Sequence, residues 1–322
     1  MDYNTCMSKE SELNKTALLQ EDIDYYIKKA GLVGYSGSYT ELGGGELNDT
    51  YVLHGDAEDV VLRISKYPGR SALRREDQAL QLLQHVPCVP KLVYFDSNDQ
   101  HRGKTWIVET LQPGQHKKRL SVQQFRSLGR LLANVHQVQI DTACSSPWSV
   151  VISNCDRFGD EEYLLNHPDE RLRHYFHSIK EESARFDVRV KKQCLRHCDI
   201  TPGNTLVHVT DVALIDWELS GFGDPMTDFS TGYWSDIELN NGRWRQKLSD
   251  GEREALYQGY TENGGVIDEQ LVLFYEILDK AAAASYLYWR LYTSDWQKDD
   301  SAERQYKLDY EKIIESLNRA LT

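Results

Sequence analysis

Between His197 and Gly242 the chain carries eight carboxylates (Asp199, Asp211, Asp216, Glu218, Asp224, Asp228, Asp236, Glu238) and no lysine or arginine. Packed into a compact fold without counter-charges, such groups repel one another unless solvent screens them or a cation joins them. Two short β-prone runs cross this window, Thr205 to Val209 and Val212 to Ile215, and Thr210-Asp211 between them predicts a hairpin. Strands that start after Asn204 and end before Asp216 bring those two side chains to one end of the hairpin. The acidic stretch therefore reads in one of two ways, as a solvated acidic surface or as a polar site built around a hairpin, and the spacing and apolar context favour the second.

Composition narrows the rest. The chain has 322 residues, 40% of them hydrophobic, enough to bury a sizeable core and to exclude disorder as the main theme. A net charge of −13 repels phosphate backbones, so nucleic acid is not expected as a partner. No apolar run approaches the roughly 20 residues of a spanning helix, and MDYNTCMSKESELNK lacks the apolar stretch of a secretion signal. Six scattered cysteines without a C-x-x-C read as reduced thiols, and the expected location is cytoplasmic.

Residues 1–20 are polar without firm periodicity and are read as a flexible arm. Over 21–112, β-rich runs at Tyr51 to Leu53, Val60 to Ile64, Leu92 to Phe95 and Thr105 to Val108 flank one helix, Leu73 to Gln84, ended by Pro87 and Pro90. Past the turn at Gln112-Pro113-Gly114 the pattern over 113–322 is mainly helical: Phe125, Leu128, Leu132 and Val135 share a face, Leu271 to Trp289 repeat at helical spacing, and Tyr306 to Leu321 predicts another helix. This is an α+β chain, a small sheet carrying one helix followed by a larger helical part.

The chemistry concentrates in His197-Cys198-Asp199-Ile200-Thr201-Pro202-Gly203-Asn204 and Ile215-Asp216-Trp217-Glu218. Read as H-x-D-x-x-x-x-N plus a later Asp, the pattern fits phosphoryl transfer. That reaction needs a carboxylate to orient and deprotonate the attacking hydroxyl and hard oxygens to hold Mg²⁺ on nucleotide phosphates. Asp199, Asn204 and Asp216 supply them. Cys194, His197 and Cys198 lack the second ligand pair that a zinc site requires.

In RHCDITPGNTLV, ALIDWELSGFGDPMTDFS and LGRLLANVHQV the chain resembles the aminoglycoside phosphotransferase and choline kinase group, over roughly Thr40 to Ser230. The resemblance implies a two-lobed protein-kinase-like fold, with 21–112 as a nucleotide-binding lobe and 113–322 carrying the catalytic loop, metal site and substrate pocket. It implies Asp199 as catalytic base, His197 as a brace for its loop, Asn204 and Asp216 as Mg²⁺ ligands, and Asp224 and Asp228 as structural groups. On the ATP side, the glycine turn with Gly44, Gly45 and Asn48 would cover phosphates, although Asn48 stands where G-x-G-x-x-G ends in glycine. Arg63 would meet the phosphates and Glu76 would hold it, with arginine replacing the lysine of protein kinases. The backbone around Glu109 and Leu111 would bind adenine.

The expected activity is ATP- and Mg²⁺-dependent phosphorylation of a hydroxyl on a small acceptor. The acidic, aromatic-rich second part suggests a cationic one of choline, ethanolamine or thiamine type, held on faces drawn from Trp217, Tyr233, Trp234, Trp244, Tyr286, Trp289 and Trp296 with Asp236 or Glu238 adding charge. An aminoglycoside fits the same pattern. A rival of another class is a silent, pseudokinase-like nucleotide-binding protein. A protein kinase is disfavoured because no A-P-E segment follows Asp216.

Overall fold

The structure, a computed structural model, describes residues 18–44, 48–66, 72–97, 103–139, 148, 160–186, 193–240, 245–293 and 300–321. It divides into two compact units. The first takes the described residues before position 67 and those between 92 and 111; the second takes those between 72 and 91 and those between 112 and 293 and beyond 299.

In the first unit five antiparallel strands, β1 (Tyr35–Gly44), β2 (Asn48–Gly55), β3 (Val60–Ser65), β4 (Leu92–Asp96) and β5 (Trp106–Thr110), lie in the order β1-β2-β3-β5-β4. Alternation turns Tyr51, Leu53, Val60, Leu62, Ile64, Trp106 and Val108 to one face. Helix α1 (Gln20–Lys29) covers that face with Ile23, Tyr26 and Ile27, spaced i, i+3, i+4 as a helix seated on a sheet requires. Neither α1 nor β1 is among the elements expected from sequence. Gly44 therefore ends a strand and Asn48 opens the next, and residues 45–47 lie outside the described residues.

The second unit begins with α2 (Ala72–Leu82), the helix expected over 73–84. Helix α3 (Val122–Val135) starts at a capping box of Ser121 and Gln124, and α6 (Asp250–Thr261) at one of Ser249 and Glu252. Between them in sequence come α4 (Glu161–Leu165) and α5 (Glu170–Ser183); α7 (Glu269–Tyr292) and α8 (Asp300–Leu321) follow. Where α3 crosses α6 the backbones touch: a Cβ on Gly129 would lie 2.0 Å from Leu256 O, and one on Gly259 2.0 Å from Arg126 O. Only glycine permits that approach.

Short strands complete this unit: β6 (Cys194–Arg196) with β9 (Gly221–Gly223), β7 (Thr205–His208) with β8 (Asp211–Leu214), and a parallel pair, β10 (Tyr233–Trp234) with β11 (Gln246–Lys247). β7 and β8 are the expected hairpin, turned at Val209-Thr210, one residue earlier than the sequence suggests, with Val209 at φ 58°. A small antiparallel-sheet unit and a larger, mainly helical one make the α+β plan expected from the sequence. Among the described residues no helix is long and apolar enough to cross a membrane.

Candidate active site

The loop His197 to Asn204 leaves β6 and reaches β7 without a ladder of its own, so its amides need other acceptors. Asp228 supplies two: its carboxylate accepts from His197 N at 2.8 Å and Cys198 N at 2.9 Å. A third bond, from His136 Nε2 at 3.1 Å, comes from the end of α3, and His136 Nδ1 pairs with Tyr260 on α6 at 3.0 Å. Burial pushes the Asp228 carboxyl up, but these bonds outweigh burial and hold it below the usual carboxylate value. Cys198 sits in the left-handed region at φ 65°, and burial pushes its thiol up to about 11, which makes it a poor nucleophile.

His197 braces two segments. Its Nδ1 accepts from Asp199 N at 3.2 Å, which leaves the proton on Nε2 to donate to Ile215 O at 3.0 Å. Asn204 Nδ2 donates to both Asp199 O at 2.9 Å and Asp199 Oδ2 at 2.8 Å, while Ile215 N donates to Asn204 O at 3.0 Å. One hairpin end thus gathers Asp199, Asn204 and Asp216.

Asp216 itself is left-handed, φ 67° and ψ 68°, a conformation that aspartate tolerates better than most residues. The next amide, Trp217 N, donates to Glu76 Oε1 at 3.0 Å, and the fully buried Trp217 indole packs on His197 with ring centroids 4.5 Å apart. Glu76 on α2, read from sequence as a partner for Arg63, thereby fixes the turn that aims Asp216. A main-chain partner leaves no side-chain signal in the sequence.

Burial pushes the Asp199 carboxyl up, and the nearby Asp216 charge adds to this, while Arg245, His197 and the Asn204 bond pull the other way. With both Asn204 amide hydrogens used on Asp199, its carbonyl oxygen is the atom left to a cation. That neutral oxygen and the Asp216 carboxylate are hard donors of the kind Mg²⁺ prefers. Among the described residues no group of three or more His, Cys, Asp or Glu could hold a metal ion, so a cation here would need further oxygens from its ligand. Asp224 accepts from Met226 N at 2.8 Å and starts the turn that carries Asp228.

In the first unit Arg63 is buried on β3, opposite Thr50 and Ile107. Asn48 opens β2 opposite Ser65, Gly44 closes β1 opposite Asp49, Glu109 on β5 is buried, and Leu111 just after it is 39% exposed. Gly45 lies outside the described residues. Arg63 belongs to the first unit and Glu76 to the second.

The aromatic candidates are largely committed. Trp217 and Tyr233 are core, and Trp244 and Trp296 lie outside the described residues. Trp234 carries the Arg245 guanidinium and the Lys280 ammonium, each 5.7 Å from its ring centroid, and Arg290 lies over both Tyr286 and Trp289. Asp236 is paired with Lys280 at 2.7 Å and Arg319 at 3.2 Å and is held down to about 2 despite partial burial. It is no spare charge for a ligand; Glu238 is exposed.

A hairpin-borne Asn and Asp thus lie beside a loop carboxylate in the second unit of an α+β chain. The sequence profile of the phosphotransferase enzyme family matches residues 38–269, and the chain belongs to that family. Solved structures share the fold. An ethanolamine kinase from Plasmodium vivax is 15% identical with TM-score 0.63, covering 96% of this chain and 98% of its own. Choline kinase LicA from Streptococcus pneumoniae is 17% identical with TM-score 0.61, covering 92% and 99%. A spectinomycin phosphotransferase, solved with ADP and spectinomycin, is 15% identical with TM-score 0.61, covering 94% and 98%. No curated protein matches the chain by sequence.

Proposed function

We propose that this protein transfers the γ-phosphate of ATP to a hydroxyl of a small molecule, with Asp199 as general base. The observation that carries the reading is the hairpin end, where Asn204 Nδ2 holds Asp199 Oδ2 at 2.8 Å while Ile215 N, one residue before Asp216, holds Asn204 O at 3.0 Å. The hydroxyl oxygen forms its bond to phosphorus as the bond to the leaving ADP oxygen breaks, and the hydroxyl proton passes to Asp199. A carboxyl pushed up by burial is a better proton acceptor near neutral pH than an exposed one.

Asn204 and Asp216 would hold Mg²⁺, which when bound neutralises phosphate charge. His197 and Glu76 keep the two aspartate-bearing segments in register. In the first unit, Arg63 would offer charge to phosphates, the turn from Gly44 to Asn48 its amides, and the backbone at Glu109 and Leu111 an edge for adenine. The structural relatives, one solved with ADP and spectinomycin and others choline and ethanolamine kinases, support a nucleotide and a small hydroxyl compound.

The test is ADP release from Mg²⁺ and ATP with neutral, cationic, acidic and aminoglycoside acceptors. Acceptor-dependent ADP supports the reading. Firm Mg²⁺-nucleotide binding with no ADP from any acceptor favours the silent nucleotide-binding protein instead.

A further inference from the structure

Asp199 is carried by a second stretch of chain. The residues on either side of it both end there: Cys198 N donates to Asp228 Oδ1 at 2.9 Å, and Ile200 N donates to the buried Thr231 hydroxyl at 3.4 Å. At Gly232 the two backbones meet, since a Cβ there would sit 1.4 Å from Ile200 O. Only glycine allows that approach, and it fixes the separation of the two segments. Where the stretch from Asp228 to Gly232 rests, Asp199 rests with it.

The same stretch runs on as β10, and α7 grips its far end. Ser235 stands just past the β10–β11 ladder, so its amide needs an acceptor from elsewhere. Glu276 supplies it: Oε1 accepts from Ser235 N at 2.8 Å and from the Ser235 hydroxyl at 2.7 Å, while Lys280, one turn on, balances the charge at 2.7 Å. Asp279 on the same helix takes Trp234 Nε1 at 2.9 Å. Glu276, Asp279 and Lys280 are all buried. Asn204 and Asp216 are held differently, by the β7–β8 hairpin, by His197 on Ile215 O and by Glu76 on Trp217 N, none of which ends between Thr231 and Ser235.

Resting on the phosphotransferase reading above, we propose that Glu276 is a positioning residue for Asp199, anchoring Ser235 and through Thr231 and Gly232 fixing where the proton-accepting loop stands. It touches no reacting atom. Its support serves the base and leaves the metal-binding pair to the hairpin.

The test is amide hydrogen exchange of the full chain, resolved at Asp199 and Ile200 by nuclear magnetic resonance. Glu276→Met and Thr231→Val remove an acceptor at nearly constant volume, Ser235→Ala removes one of the two bonds to Glu276, and Glu276→Gln and Thr231→Ser keep an acceptor in place. Lys280 retains Asp236 at 2.7 Å in all of them, and Ile179→Val in the buried face of α5 is the stability control. Exchange at Ile200 is expected to quicken ~10-fold or more in Glu276→Met and Thr231→Val and ~3-fold in Ser235→Ala. It should return close to wild type in Glu276→Gln and Thr231→Ser and stay unmoved in Ile179→Val, with Mg²⁺-ADP affinity by calorimetry kept throughout. Wild-type exchange in Thr231→Val overturns the proposal. So does wild-type exchange in Ser235→Ala, the variant that decides the matter where Glu276→Met does not fold. A loss of Mg²⁺-ADP affinity as large as the gain in exchange also overturns it, because the support would then belong to the whole site. Failure of the wild type to bind Mg²⁺-ADP leaves the exchange result standing and overturns the phosphotransferase reading instead.

Discussion

The two units satisfy their backbones in opposite ways. In the first, five strands pair amide to carbonyl, and Arg63, Asn48 and Glu109 ride on a sheet that would form with other side chains in their places. In the second, the amides of His197, Cys198, Trp217 and Met226 end on the carboxylates of Asp228, Glu76 and Asp224. Where the ladder stops, side-chain carboxylates replace main-chain carbonyls. This accounts for two of the eight carboxylates of the acidic window, Asp224 and Asp228: their charge is an acceptor supply for irregular backbone, so a residue can be indispensable there without touching a substrate.

Substitutions can break that contrast. On the proposed role of Asp199 as base, Asp199→Asn should lower turnover about 10²–10⁴-fold in an ADP-release assay while leaving the urea midpoint unchanged, because a base acts on the proton and the fold does not rest on it. Asp228→Ala should do the reverse of a clean catalytic variant and cost about 3–5 kcal/mol of stability in urea, since it strips the loop amides and His136 of their shared partner. Glu76→Ala should cost about 1–3 kcal/mol by leaving Trp217 N unpaired, with Mg²⁺ affinity falling in parallel.

His167 sharpens the point with pH. It is fully buried, burial pushes it down to about 4 from 6.5, and its Nδ1 accepts from Asp169 N, a bond that needs the lone pair of the neutral ring. Between those values the unfolded chain binds a proton that the folded chain refuses, so stability should fall as pH drops through the window. His167→Gln should flatten that slope in urea titrations at pH 7 and 4.5. In the sheet, Ile64→Val should cost only about 0.5–1.5 kcal/mol. If it cost as much as Asp228→Ala, the contrast between ladder and carboxylate support would fail.

What was readable in the sequence follows the same division. The hairpin of β7 and β8 shows because apolar alternation fixes both strands, and the H-x-D-x-x-x-x-N spacing shows because its members are local. Strand β1 hides because Tyr35-Ser36-Gly37-Ser38 breaks alternation and its pairing with β2 is irregular at two places. Helix α1 did carry a signal, Ile23, Tyr26 and Ile27, masked by the polar chain before it. The Glu76 bond to Trp217 N and the Glu276 bond to Ser235 N leave no trace in the spacing of residues, because both end on main chain remote in sequence.

The crossing of α3 and α6 at Gly129 and Gly259 has a consequence for how this protein can change. His136 and Tyr260, the pair that grips Asp228, are carried by these two helices, so the clearance between them sets where the Asp199 loop comes to rest. Neither glycine has an atom to give up when the other gains one, and no compensating trade is open to them. The tolerance of the site is machined by a gap containing no side chain, and drift can alter the walls of the pocket far more freely than this spacing.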